Sequence, residues 1–153
     1  MRALVQRVLR AQVMVDAQVV GRIDRGLLVY LGVAPADTQD EARWLAQKLA
    51  GLRIFDDEQG KLNLSVASVK GRVLAISNFT LLADATEGRR PEFGGAASGQ
   101  VAQALYDEFC KALEAAGVPL AKGIFGASML IESQADGPVN VVIDRVAKGK
   151  DSP

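Results

Sequence analysis

Two short segments carry the residues whose types and spacing could do chemistry. The first follows an apolar run and consists of Ser77, Asn78, Phe79 and Thr80. Hydroxyl groups there could act on a substrate, although at the end of a strand they usually satisfy the backbone. The second is Gly137-Pro138, where proline makes a cis peptide bond accessible and glycine leaves a tight turn uncrowded. Residue types alone favour a strand edge for the first segment and a hairpin turn for the second.

Histidine is absent from the chain, which narrows the possible chemistry. Its absence excludes Ser-His-Asp and Cys-His catalysis, as well as metal sites built on imidazole. Cys110 has no histidine to activate it, so we expect it to be packed in the interior. The acidic run 56–58 lacks the spacing of a calcium loop and is interpreted as a solvated turn. The sequence therefore predicts neither a metal nor a cofactor.

The charge balance limits any nucleic-acid contact to a small area. Lys plus Arg and Asp plus Glu both number 18, giving a formal net charge of zero. No global basic field is available to attract long nucleic acid. Arg89 and Arg90 stand in a polar, glycine-containing loop, where they could meet a phosphate or simply face solvent. A single cysteine, no signal peptide and no apolar run long enough to cross a membrane together predict a cytoplasmic protein.

The first half of the chain shows clear element patterns. Residues 1–15 and 19–23 predict a β-hairpin, and the continuous apolar run 26–33 predicts a buried central strand. Thr38 and Glu41 have the spacing of a capping box. Behind them, a helix is indicated by apolar residues at helical spacing, namely Ala42, Leu45, Ala46 and Leu49.

The second half predicts a strand at 72–77 and a long loop at 83–98, of the kind that is usually functional in a compact domain. A helix follows, with Ser98 as its N-cap and Gly117 just after its end. Two final strands, near Leu130 and Val141, are expected to be joined by a turn. The predicted fold is a single α+β domain over residues 1–147, followed by a loose tail at 148–153. Its sheet is expected to be barrel-like and largely antiparallel, with two main helices and hairpin-length connections rather than crossovers.

Several blocks, in order along nearly the whole chain, resemble the D-aminoacyl-tRNA deacylase family. They read MRALVQRV, GLLVYLGV, LRIFDDEQGKLNLS, SNFTLLADATEGRRPEF, GIFGASM and DGPV. The resemblance implies a homodimeric cytoplasmic enzyme without a metal. Such an enzyme hydrolyses the ester between a D-amino acid, or glycine, and the 3′-terminal ribose of tRNA. Several blocks in the same order identify a family more specifically than one short motif does.

The resemblance also implies roles for particular residues. Gly137 and Pro138 would form a cis pair that reaches into the partner subunit's pocket, and Arg7 would brace their carbonyl groups. The residues facing the scissile ester would be Ser77, Phe79 and Thr80, with Asn78 among the substrate contacts. Phe125 and Met129 would lie in the pocket for the terminal adenosine. Contacts to tRNA phosphates are expected from Arg89, Arg90 and Lys122.

Physical chemistry makes this function coherent without histidine. Main-chain carbonyls in the space of an L side chain would reject L-amino acids, and ten-thousandfold discrimination needs about 5.5 kcal/mol. An aminoacyl ester is already reactive, so positioned water, backbone N–H groups near Phe79 and Thr80 and the 2′-hydroxyl of the RNA could suffice. We therefore expect RNA-assisted hydrolysis in which Thr80 orients the substrate without forming an acyl-enzyme.

Three positions depart from the family's usual residues. Asn78 replaces Gln, Ala135 replaces Asn and Asn140 replaces Thr, so the polar contacts around both segments are expected to differ. Three other functions stay open. They are a non-catalytic dimeric module that binds aminoacyl-tRNA ends, a paralogue that edits L-aminoacyl-tRNA, and an esterase for free small molecules.

Overall fold

A computed structural model describes residues 1–147 of the protein. The predicted loose tail at 148–153 lies outside the described residues, so the domain limit at residue 147 stays a prediction. The chain forms one α+β domain in which two helices separate three groups of strands. The strands are β1 Arg2–Val15, β2 Gln18–Ile23, β3 Gly26–Gly32, β4 Phe55–Asp56, β5 Leu62–Leu64, β6 Arg72–Ser77, β7 Leu120–Lys122 and β8 Leu130–Asp144. The helices are α1 Gln39–Ala50 and α2 Gly99–Ala115, with a 3-10 turn at Phe79–Leu82.

The predicted N-terminal hairpin is confirmed. β1 pairs antiparallel with β2, from Ala11 opposite Ile23 to Val15 opposite Gln18. The two linking residues, Asp16 and Ala17, both have positive φ. Two consecutive residues with positive φ give a turn whose twist matches that of the flanking strands, which fixes the hairpin register.

The central strand is also confirmed, but its neighbours are not all antiparallel. β3 runs antiparallel to β1 and parallel to β6, and β6 runs parallel to β7. The chain between β3 and β6 contains α1, and the chain between β6 and β7 contains α2. Parallel neighbours require such crossovers. The α+β class and the mostly antiparallel sheet are therefore confirmed, whereas the expectation of hairpin-length connections throughout is wrong.

Both helices pack against one face of the sheet. α1 begins with the predicted capping box, and its four predicted apolar side chains are completely buried. Ser98 precedes α2 as expected, but its side chain makes no capping hydrogen bond. Within α2 the Tyr106 hydroxyl donates to the carbonyl oxygen of Ala75 in β6, at 2.9 Å. Cys110 is buried as predicted, and burial raises the pKa of its thiol to about 11.

The sheet curls until β2 approaches β7, which gives the predicted barrel-like shape. A Cβ atom on Gly21 of β2 would lie 2.5 Å from the carbonyl oxygen of Lys122, so only glycine permits this approach. Inside the curl lies a second apolar core, formed by Val8, Ala11, Val13, Ile23, Leu28, Leu74 and Ile76. Among residues 1–147, no helix has the length and apolar character needed to cross a membrane.

A single long strand, β8, replaces the two predicted C-terminal strands. It pairs antiparallel with β1 on both sides of a register shift, with Ala135 opposite Val8 and Asn140 opposite Gln6. Five positions along β8, from 135 to 140, therefore lie opposite only two positions along β1, from 8 to 6. The prediction of a hairpin at Gly137-Pro138 is wrong because the chain keeps its direction. We call residues 136–139 the β8 bulge.

Candidate active site

An apolar pocket of about 470 Å³ opens where β6 ends. Loops that follow the carboxyl ends of parallel strands meet at one edge of a sheet, which is a common place for ligand sites. The pocket is bounded by the segment after β6, the start of α2 and the segment before β8. Its lining includes Tyr30, Ile76, Ser77, Asn78, Phe79, Thr80, Ala97, Ala102, Phe125, Met129 and Ile131.

The segment after β6 is held by a local side-chain cap. The backbone N–H of Asn78 donates to the carbonyl oxygen of Leu31, which ties the segment to β3. Asn78 Oδ1 then accepts hydrogen bonds from the backbone N–H of Thr80, at 3.1 Å, and from the Thr80 hydroxyl. A short polar side chain at the start of a turn commonly caps it in this way. The Thr80 hydroxyl is therefore bonded to Asn78.

Because of the cap, the two backbone N–H groups that were expected to act on the ester, those of Phe79 and Thr80, differ in their hydrogen bonding. The N–H of Thr80 is occupied by Asn78, whereas the N–H of Phe79 makes no hydrogen bond to any group within residues 1–147. An unpaired N–H at a pocket edge is a ready donor to a negatively charged oxygen. Of these two N–H groups, that of Phe79 is therefore the one without a partner in the described part of the chain.

Phe79 connects the pocket to the long loop at 83–98. Its side chain is 56% exposed, and its ring meets that of Phe93 edge to face, with ring centroids 5.2 Å apart. Backbone hydrogen bonds between Asp84 and Glu92 close the loop on itself. Arg89 and Arg90 are exposed in this loop, but neither lines the pocket.

The opposite wall of the pocket comes from the segment before β8. Phe125 lies against Tyr106 of α2, with ring centroids 6.2 Å apart. The sulfur of Met129 lies 2.6 Å from the point where a Cβ atom on Gly123 would stand, so the glycine leaves the space that Met129 fills. Both side chains also pack against buried clusters, Phe125 beside the helices and Met129 inside the curled sheet.

Gly137 and Pro138 lie outside this pocket, in the β8 bulge. Their peptide bond is cis, and Gly137 has a φ of +122°, which L side chains rarely adopt. Arg7 reaches the bulge from β1 and is 5% exposed. Its Nε donates to the carbonyl oxygen of Asp136 at 3.3 Å, and its Nη1 donates to that of Ile54 at 3.0 Å. The observed bonds thus go to Asp136 and Ile54, whereas the resemblance implied bonds to the Gly-Pro carbonyls.

The predicted site residues consequently fall into two groups. The first lines the pocket and comprises Ser77, Asn78, Phe79, Thr80, Phe125 and Met129. The second is at the bulge and comprises Arg7, Gly137 and Pro138. Sequence reasoning missed the lining residues contributed by other elements, such as Tyr30, Ala102 and Ile131. These residues follow ordinary strand and helix patterns, so nothing local distinguishes them. Lys122 is exposed and does not line the pocket.

A curled mixed sheet covered by two helices, with a pocket after the first crossover, defines a known class of α+β domain. A solved structure of the c-Myc DNA Unwinding Element Binding Protein has 36% sequence identity and a TM-score of 0.89, covering 96% of this chain and all of that one. A second solved structure, of a probable eukaryotic D-amino acid tRNA deacylase, shares the fold at 20% identity and a TM-score of 0.81.

The sequence assigns the chain to a family within this class. The family model described as D-Tyr-tRNA(Tyr) deacylase matches residues 4–144, and the chain belongs to that family. Curated relatives named D-aminoacyl-tRNA deacylase include proteins of Deinococcus radiodurans and Lacticaseibacillus casei. The first is 56% identical, over 94% of this chain and 99% of the relative. The second is 49% identical, over 97% of this chain and all of the relative.

Proposed function

We propose that this protein hydrolyses the ester bond of D-aminoacyl-tRNA and releases a free D-amino acid and tRNA. The observation that carries the proposal is the 56% identity to a D-aminoacyl-tRNA deacylase along almost the full length of both chains. The pocket adds support, because its apolar walls suit a terminal base and the polar groups at its edge suit an ester. Glycyl-tRNA is a second substrate, because glycine is achiral and has only hydrogen where an L-amino acid has the side chain that is rejected.

The proposed reaction is direct attack by water. The oxygen of a bound water forms a bond to the ester carbonyl carbon, the bond to the ribose 3′-oxygen breaks, and that oxygen takes up a proton. The N–H of Phe79 donates to the carbonyl oxygen as negative charge develops on it. The neighbouring 2′-hydroxyl of the substrate assists the proton transfer, so the RNA supplies what histidine supplies elsewhere. Thr80 orients the segment through Asn78 and forms no acyl intermediate.

The proposed selection for D-amino acids is steric and polar rejection by the β8 bulge. The carbonyl groups of Gly137 and Pro138 occupy the volume that an L side chain needs, and a clash combined with stranded polar groups disfavours the L-ester. A D side chain points away from them. No pocket fitted to a particular amino acid is required, so the enzyme accepts D-amino acids of different sizes.

The selection requires a second subunit, because the pocket and the bulge are separate in one chain. We propose a homodimer in which each bulge enters the partner's pocket. Exposed apolar side chains on β8 support this arrangement, since Leu130 is 61% and Val142 is 60% exposed in the single chain. The two side chains stand near opposite ends of β8, so a partner that covers this strand would bury both of them.

The proposed contact with tRNA is confined to its acceptor end. With a formal net charge of zero, the chain lacks the field that would hold long RNA. Arg89, Arg90 and Lys122 are proposed to make the few phosphate contacts, so salt should weaken binding only mildly. The reaction uses no resident metal, because an activated ester needs only positioned water and hydrogen-bond donors. A cytoplasmic location follows from the proposed substrate.

The test compares hydrolysis of one tRNA charged with the D- or the L-form of the same amino acid. We expect rapid loss of the D-ester, with an L-ester rate lower by about three to four orders of magnitude, equivalent to roughly 4–5.5 kcal/mol. Equal cleavage of both forms would contradict the proposal. Binding without turnover would indicate a non-catalytic module, selective loss of the L-ester an L-editing paralogue, and cleavage of small esters without tRNA a general esterase. Light scattering of the same sample checks the dimer.

A further inference from the structure

The acidic run that ends β4 and begins the following turn contains two aspartates, Asp56 and Asp57, with different contacts. Asp57 builds the turn itself, because its Oδ1 accepts hydrogen bonds from the amides of Gln59, at 2.9 Å, and Lys61, at 3.0 Å. Its other oxygen accepts from the side-chain amide of Asn63. Asp56 takes no part in these bonds. Its Oδ2 lies 3.5 Å from Nη1 of Arg7, so this carboxylate lies beside the side chain that reaches the β8 bulge.

Arg7 is flanked by two carboxylates from different parts of the chain. Its Nε lies 3.1 Å from Asp136 Oδ2, and its Nη1 carries the longer ion pair to Asp56. The Arg7 side chain is 7% exposed, whereas that of Asp56 is 49% exposed. A nearly buried guanidinium needs partners on each side to stay in one orientation, because an unpaired buried charge is costly. Solvent screens the Asp56 contact in part, so its effect is on orientation more than on total stability.

Arg7 holds the β8 bulge together with the side chain of Val139, which packs against the main buried core, so the orientation of Arg7 matters. No ladder pairing with β1 is present between Ala135 and Asn140. Within this gap, Arg7 bonds both the carbonyl oxygen and the carboxylate of Asp136. Its Nη2 also lies 3.3 Å from the point where a Cβ atom on Gly137 would stand. A guanidinium that turned away would release Asp136, the residue that precedes Gly137 in the bulge.

We propose that Asp56 is a positioning residue for the selection of D-amino acids. Its carboxylate holds Nη1 of Arg7 toward β4, while Asp136 holds Nε toward β8, so the guanidinium spans a fixed distance between the two strands. The carbonyl groups of Gly137 and Pro138 are thereby kept where they exclude an L side chain. This inference rests on the proposed function and deepens it, because a residue at the end of β4, outside the pocket, would determine how strictly the enzyme discriminates.

The experiment compares three variants in the full-length chain. Asp56→Asn keeps the size and removes the charge, Asp56→Glu keeps the charge, and Glu58→Gln removes a charge from the same acidic run as the matched control. The measurement is the ratio of kcat/KM for D- and L-aminoacyl-tRNA. We expect Asp56→Asn to lower the ratio about three- to tenfold, roughly 0.7–1.4 kcal/mol, by raising the L-ester rate. The D-ester kcat should stay within about twofold. Asp56→Glu should recover most of the ratio, and Glu58→Gln should leave it unchanged.

A second measurement reports on the β8 bulge without using activity. Hydrogen–deuterium exchange of the peptide covering 134–141 should be faster in Asp56→Asn than in Glu58→Gln, because the bulge is held less tightly. An unchanged ratio in Asp56→Asn would overturn the inference while leaving the proposed function intact. An equal fall in Glu58→Gln would overturn it too, since any charge in the run would then serve. A wild-type chain without deacylase activity would overturn the proposed function and this inference together.

Discussion

The segment after β6 and the β8 bulge contain the two groups of predicted site residues, but they are held in different ways. The segment is capped from within, because Asn78 bonds Thr80 two positions along the chain. The bulge is held from a distance, because Arg7 reaches it from β1 and is itself fixed by Ile54 and Asp56. The side-chain cap in the first arrangement joins residues two positions apart, with one further bond to Leu31 of β3, whereas the second requires that β1, β4 and β8 have already come together.

This contrast predicts that the rate of ester hydrolysis and the selectivity for D-amino acids depend on different parts of the molecule. Groups proposed to act on the ester lie in the locally capped segment, so they should tolerate changes elsewhere in the molecule. Groups proposed to reject L-amino acids lie in the bulge, so they should respond to substitutions that touch neither substrate nor pocket. Selectivity is therefore expected to be the more fragile of the two properties.

Gly137→Ala should give the largest effect, because it acts on the bulge itself. A Cβ atom there would lie 2.8 Å from the backbone nitrogen of Val139, and a φ of +122° disfavours any L side chain. We expect a loss of about 2–3 kcal/mol in the free energy of unfolding. The ratio of D- to L-ester hydrolysis should fall more than tenfold. Denaturant unfolding and paired deacylation assays measure the two quantities.

The matched control for this substitution is Gly60→Ala. Gly60 also has positive φ, +74°, but a Cβ atom there would meet nothing within 4 Å. We expect a stability cost of about 1 kcal/mol from the backbone alone and an unchanged D/L ratio. If the two variants had the same D/L ratio as the wild type, the bulge would not be the element that selects the D-form.

Phe79→Ala should have an intermediate effect, confined to the pocket. The ring is largely exposed at the pocket edge, where it could stack on a base, and such stacking contributes about 1–3 kcal/mol. We expect KM for D-aminoacyl-tRNA to rise about tenfold, with kcat within about threefold because the backbone N–H remains. Steady-state kinetics separates the two parameters.

Leu62→Ala is the control, since Leu62 is exposed to a similar degree, 53%, and does not line the pocket. Its KM should stay at the wild-type value. A Phe79→Ala variant with normal KM would mean that the ring does not contact the substrate. A large fall in kcat alone would mean that the ring, and not the backbone, acts on the ester.

Thr80→Ala should give the smallest effect. The hydroxyl is bonded to Asn78, and the backbone N–H of the variant can still donate to the same oxygen. We expect kcat within about threefold of wild type, equivalent to less than roughly 0.7 kcal/mol in the activation free energy. Single-turnover hydrolysis of D-aminoacyl-tRNA measures this rate.

Thr86→Ala provides a control of the same geometry, because Thr86 donates its amide and its hydroxyl to Asp84 outside the pocket. Both variants should hydrolyse the D-ester at similar rates. Mass spectrometry of rapidly quenched wild-type enzyme tests the alternative directly. An acyl group found on Thr80 would show that the reaction is covalent.

Much of the fold could be predicted from local patterns. Alternation identified the first hairpin, continuous apolar character identified β3, and the Thr38–Glu41 spacing identified the start of α1. Strand direction could not be predicted in the same way. A buried strand such as β6 shows the same apolar run whether its neighbour is parallel or antiparallel, and the decision depends on how α1 and α2 cross over.

In the candidate site, too, some features follow from local sequence and others only from the tertiary structure. The sequence by itself determined the absence of imidazole chemistry and, through blocks in series, the family. The cap between Asn78 and Thr80 joins near neighbours in the chain, although the residue types alone predicted only a strand edge there. Only the tertiary structure showed that Gly137-Pro138 interrupts the pairing of one continuous strand, and that the half-exposed Asp56 lies beside Arg7. Local patterns arise from interactions between residues a few positions apart. The bulge and its support join residues separated by 47 and 129 positions, and folding alone brings these together.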